Sequence, residues 1–155
     1  MTQNYNGGGN RSGYNNQGRG GAPRQNTAYQ VPHVKLNDTG YVDAAEKVIV
    51  NLKERKQMLT TSKIRNLLSM ISSLYDEVRR NTSEKLGREE VSRIQYIRLH
   101  FAYEAGRDTK VKEFVQEADI FAHLKDIGES KESFILFCRY MEALVAYHRY
   151  HGGKE

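Results

Sequence analysis

The side chains able to do catalysis or bind metal in this 155-residue chain are five histidines, one cysteine and 19 Asp+Glu. His33, His100, His123, His148 and His151 have no cysteine beside them at zinc-ligand spacing. His148 and His151 lie one helical turn apart but have no third ligand nearby, so they read as a polar helix end. Cys138, between Phe137 and Met141 on an apolar stripe, has the setting of a packed small hydrophobe rather than a nucleophile. A single cysteine excludes an internal disulfide and a four-thiolate zinc site, and it suits a reducing compartment. GGGNRSG and GRGG follow no strand and open no helix, so neither is a phosphate-binding glycine loop. The carboxylates fall in no motif. These residues predict no enzyme, no cofactor and no metal site.

The other chemistry available is charge. The chain has 24 Lys+Arg against 19 Asp+Glu, a formal +5. Residues 1–37 contribute Arg11, Arg19, Arg24 and Lys35 with no acid, leaving the rest nearly balanced, so the basic total by itself says little about nucleic acid. Within the rest, residues 51–66 set Lys53, Arg55, Lys56, Lys63 and Arg65 against Glu54 alone. Residues 113–132 set Glu113, Glu117, Asp119, Asp126, Glu129 and Glu132 against Lys125 and Lys131. One region suits phosphates, and the other would repel them and is expected to face a neighbouring subunit.

The strongest candidate for holding an anion is the start of the second helical segment. There Thr60, Thr61 and Ser62 offer hydroxyls, the first turn offers unpaired N–H groups, and Lys63 and Arg65 add charge off the apolar stripe. Lys53, Arg55 and Lys56 end the preceding segment, where cations equally suit the negative end of a helix dipole. Arg93 and Arg107 lie on a polar strip of the third segment. Glu89–Arg93 and His100–Glu104 are i,i+4 pairs that a solvated face would also carry. Arg98 falls inside the apolar stripe and is expected to be paired internally or snorkelling. The candidate RNA-binding set is Lys53, Lys56, Ser62, Lys63, Arg65, Arg93 and Arg107.

The elements that must position these groups are helices. Seven of the 13 glycines fall in residues 1–21 among Asn, Gln, Ser and Arg, too little apolar surface to offset the entropy of ordering. Residues 1–37 are therefore expected to be a disordered tail, and residues 38–155 a helical bundle domain. The tail's arginines and tyrosines are of the types that hold single strands loosely; a solvated extension is the plainer reading. Beyond Tyr41 there is no proline, no strand alternation and no repeat.

Five helical segments are expected, over about 43–56, 62–80, 88–105, 109–127 and 130–151, forming an all-α five-helix bundle. The second carries Ile64, Leu67, Leu68, Ile71, Leu74, Tyr75 and Val78 as one uninterrupted stripe, with Thr61 or Ser62 as its cap. The third has Ile94, Ile97, Phe101 and Ala105 on one face and Tyr96, Leu99 and Tyr103 nearly opposite, the pattern of a central helix. No apolar run approaches the roughly 18 residues that span a bilayer, and residues 1–21 lack the apolar core of a secretory signal. A soluble cytoplasmic protein is expected.

LTTSKIRNLLSMISSLYDEV at 59–78, FAYEAGR at 101–107 and YMEALVAYHRYHGGKE at 140–155 together resemble the small subunit of the type III-A CRISPR effector, the Csm complex. VDAAEKVI at 42–49, VKEFVQEADI at 111–120 and ESFILFCRYMEALVAYH at 132–148 fit the same pattern, so the resemblance covers about residues 40–155. The tail is longer than the family usually carries, and no role for it is inherited.

The resemblance implies a compact non-catalytic helical bundle, several copies of which stack into an inner filament along the guide-bound backbone subunits. These copies would line the groove where crRNA pairs with target RNA, next to the large polymerase-like subunit. It also implies that Lys63, Arg65 and Arg107 turn toward RNA; Lys53, Lys56 and Arg93 are added from charge and periodicity. Backbone contact without sequence preference suits such a subunit, since guide pairing reads the sequence. The competing expectation is a protein–protein adaptor with no RNA contact.

Overall fold

The apolar stripe of residues 64–78 is what anchors the core. Ile64, Leu67, Ile71, Leu74 and Val78 are at most 2% exposed, with Leu68 and Tyr75 half-buried beside them. The computed structural model describes Gln3 and residues 32–155. Its helices are α1 (Tyr41–Glu54), α2 (Thr61–Arg80), α3 (Arg88–Arg107), α4 (Thr109–Glu117), α5 (Ile120–Ile127) and α6 (Lys131–Tyr150). The all-α expectation holds, with six helices in place of five. Most of the expected tail lies outside the described residues. Residues 32–37 carry no helix, yet Leu36 packs half-buried against the core.

The sixth helix arises from a break in the segment expected at 109–127. Asp119 adopts φ 53° and ψ 40°, a left-handed conformation that aspartate tolerates better than most residues. The break rephases the apolar stripe. Val111, Phe114, Val115 and Ala118 are buried before it, and Ile120, His123, Leu124 and Ile127 after it. In an unbroken helix Ile120 would point about 200° away from Ala118; the turn at Asp119 lets both sets reach the core.

The central helix is α6 rather than α3. It packs on α1, α2 and α5 and buries Phe134, Phe137, Cys138, Tyr140, Met141, Leu144 and His148. The Tyr140 hydroxyl donates to the Ala118 carbonyl at 3.0 Å, which stitches α6 to the break between α4 and α5. Burial pushes the Cys138 thiol far above its usual range, which suits the role of a packed hydrophobe. On α3, Ile94, Ile97, Phe101 and Ala105 face the core, whereas Tyr96, Leu99 and Tyr103 are 62%, 63% and 59% exposed. The second apolar face of α3 therefore has no covering element among the described residues.

Candidate nucleic-acid interface

The junction between α1 and α2 is shaped by a Schellman-type turn. Lys56 donates its N–H to the Lys53 carbonyl at 3.0 Å, and Gln57 donates to the Leu52 carbonyl at 2.8 Å. This places Lys56 at φ +57°, the position normally given to glycine. Lys53, in the last turn of α1, and Arg65, in the first turns of α2, are exposed like Lys56, and none of the three has an ion-pair partner among the described residues.

Arg55 behaves differently. Its guanidinium reaches Glu113 at 3.0 Å and Glu117 at 2.9 Å, while Asn51 donates to Glu117 at 2.7 Å. These contacts clamp the end of α1 onto α4. Glu113 and Glu117, expected to face a neighbouring subunit, are partners of this intrachain clamp while staying 30% and 26% exposed, and Asp119 and Asp126 meet His33.

The start of α2 also differs from expectation. Thr60, not Thr61 or Ser62, is its N-cap, accepting from the Lys63 N–H at 3.4 Å. The Thr61 N–H donates to the Lys154 carbonyl at 2.9 Å, and the Ser62 hydroxyl donates to the Glu155 carboxylate. Where the sequence placed an outside anion, the chain sets its own carboxylate.

Lys63 pairs with Asp108, which also caps α4 by accepting from the Lys110 N–H at 2.8 Å and the Val111 N–H at 3.2 Å. The Lys63 ammonium, helped by those two N–H groups, holds the Asp108 carboxyl below its usual range against the opposing effect of burial. Arg93 joins α3 to α2 through Glu77 and, at 3.4 Å, the Ser73 hydroxyl, so its partner is Glu77 rather than Glu89. Arg107 lies over the Tyr103 ring, 5.3 Å from its centroid, and is 3.4 Å from Glu104.

Of the seven candidates, Lys63 and Arg107 line one groove of about 610 Å³ between α2 and the end of α3, with Asn66, Met70, Glu104 and Asp108. Its two cations face two carboxylates, so its local charge is balanced. Ser62 and Arg93 have intrachain partners elsewhere.

One cluster departs from the expectation that the histidines form no metal-ligand set. The segment before α1 brings His33 to Asp119 and His123 of α5, so that one ligand atom from each lies within 4.8 Å of the others. Burial, with His33 beside it, pushes His123 down to about 4. The signal available was the spacing Asp119-x3-His123-x2-Asp126; its fourth member lies 86 residues earlier than Asp119, which spacing alone does not reveal.

Fold and surface together define a small all-α module with exposed cations at one helix junction, and no described helix is long and apolar enough to cross a membrane. Residues 35–154 match the family Csm2 Type III-A, and the chain belongs to that family, the small subunit of the type III-A CRISPR Csm complex. It is 43% identical over 123 residues to the CRISPR system Cms protein Csm2 of Streptococcus thermophilus, covering 77% of this chain and 98% of that one. It is 42% identical over 112 residues to the protein of the same name from Mycobacterium tuberculosis, covering 71% and 90%. A further relative, from Enterococcus italicus, is 35% identical over 96 residues, 60% of this chain and 68% of its own.

Proposed function

We propose that this chain is a non-catalytic structural subunit of the cytoplasmic type III-A effector. Its copies stack into the inner filament and touch the backbone of the crRNA–target RNA duplex without reading sequence. Its protein partners are the backbone subunits, the large polymerase-like subunit and other copies of itself. Lys53, Lys56 and Arg65 make the first RNA contacts, with Arg107 beside them in role. Ser62, Lys63 and Arg93 join by exchanging carboxylate partners for phosphate.

The observation that carries this reading is Lys56. A lysine held at φ +57° stores strain that glycine would relieve, and such outliers persist where the side chain is needed. Lys56→Gly is therefore expected to keep or raise stability while weakening RNA binding, which a purely solubilising lysine would not do. Binding of single-stranded RNA across a salt series supplies the measure: the log–log slope should be about −0.7 per phosphate neutralised. In Lys53→Ala/Lys56→Gly/Arg65→Ala the magnitude of the slope should fall by about 2, the share of three phosphates. An unchanged slope would remove the RNA contact from this surface.

A second reading, a protein–protein adaptor without RNA contact, is favoured by the exposed Tyr96–Leu99–Tyr103 face of α3 and by the carboxylates already paired with Lys63 and Arg107. Cleavage of RNA by the isolated protein, with or without divalent metal, would overturn both readings.

A further inference from the structure

We propose that His33, Asp119 and His123 form a binding site for one divalent transition ion of the zinc class, which fastens the segment before α1 onto α5. The two rings lie 4.9 Å apart by centroid at 59°, and one ligand atom from each of the three residues falls within 4.8 Å of the others. Bonds of 2.0–2.2 Å to a tetrahedral ion would need donor separations of about 3.4 Å, so the direct His33 Nδ1–Asp119 contact must open while the widest separation closes, changes within reach of side-chain rotation.

One feature points to an ion rather than to a simple ion pair, and a second would aim a ligand at it. The first is His123, only 6% exposed, whose Nδ1 has no hydrogen-bond partner among the described residues. His148 Nδ1 is unpartnered too, but beside His123 stand His33 and Asp119, groups that can share an ion with it. Its other near neighbour, the Tyr140 ring at 5.1 Å, approaches edge-on, and the Tyr140 hydroxyl is already committed to the Ala118 carbonyl. The second is the use of both nitrogens of His33, Nδ1 toward Asp119 and Nε2 toward Asp126. With an ion between Nδ1 and Asp119, Nε2–H stays on Asp126, the carboxylate–histidine–metal relay that fixes the tautomer and aim of a ligating imidazole. The ion displaces the proton that Nδ1 now donates to Asp119, and that proton leaves to solvent.

Two imidazoles and one carboxylate suit zinc, with cobalt and nickel as substitutes, and leave a fourth position for water or for a donor from another molecule.

The test uses the full-length chain stripped with chelator and titrated with Zn²⁺ by calorimetry, and with Co²⁺ by visible spectroscopy. One equivalent is expected, with the ligand-field bands of four-coordinate cobalt. His33→Ala and Asp119→Asn should each weaken Zn²⁺ by at least tenfold, and Asp126→Asn by about 10–100-fold. His33 is exposed and outside every helix, so its loss leaves the core intact. His151→Ala, which removes a histidine paired with Glu46 elsewhere, should change nothing. No binding, equal affinity in wild type and His33→Ala, or a loss in His151→Ala instead, overturns the site and leaves only adventitious surface binding.

Discussion

Helix α3 carries two faces rich in large hydrophobic side chains that meet opposite fates. Ile94, Ile97, Phe101 and Ala105 are at most 8% exposed, whereas Tyr96, Leu99 and Tyr103 are at least 59% exposed. Burial is a relation between a face and what covers it, and α4, α5 and α2 approach α3 from one side. The tyrosine–leucine–tyrosine stripe stays in water because no described element packs over that side of α3.

The contrast can be broken most directly by truncating one side chain on each face. Phe101→Ala should cost about 3–5 kcal/mol in urea unfolding, by lost transfer energy and a residual cavity. Leu99→Ala should change the isolated chain by no more than about 0.5 kcal/mol while lowering its incorporation into the effector complex. Similar unfolding costs at the two sites would mean that the outer face is covered within the single chain.

A smaller effect is expected at the end of the helix. Asp108→Ala removes the cap of α4 and the partner of Lys63, and should cost about 1 kcal/mol. Asp108→Asn, which keeps the cap, should cost less, so the difference separates capping from ion pairing.

The smallest effect is the pH dependence of that pair. Because Lys63 holds the Asp108 carboxyl below its usual range, the pair's contribution is complete above the unfolded value near 3.8. It disappears as the pH falls through the lower folded value. Lys63 is 43% exposed, so solvent screening limits the contribution to a few tenths of a kcal/mol. Lys63→Met should remove this part of the acid dependence and leave the rest. An identical acid limb in the variant would show that the pair contributes nothing.

Local periodicity carried most of the fold. The stripe of α2 and the turn residues around α3 and α6 were legible because each helix declares its own apolar face and ends. The break at Asp119 was not, since a single aspartate in a helical pattern carries no mark of a left-handed turn until two packing faces compete. The candidate cations were legible as charge but not as free charge. Lys63 and Arg93 look as available in the sequence as Lys53 and Arg65, yet each meets a carboxylate 45 or 16 residues away. Arg55 is the plainest case, because its partners Glu113 and Glu117 were assigned to another molecule.

By itself the amino-acid order determined the helical class, the chain positions of most helices and the chemical inventory available, because these depend on neighbours within a few turns. Only the tertiary structure decided that α6 is central, which α3 face is left bare, which cations keep their charge unspent, and that His33 meets Asp119 and His123. The physical reason is common to all four: each depends on which long-range surfaces meet, and composition and spacing do not encode that distance.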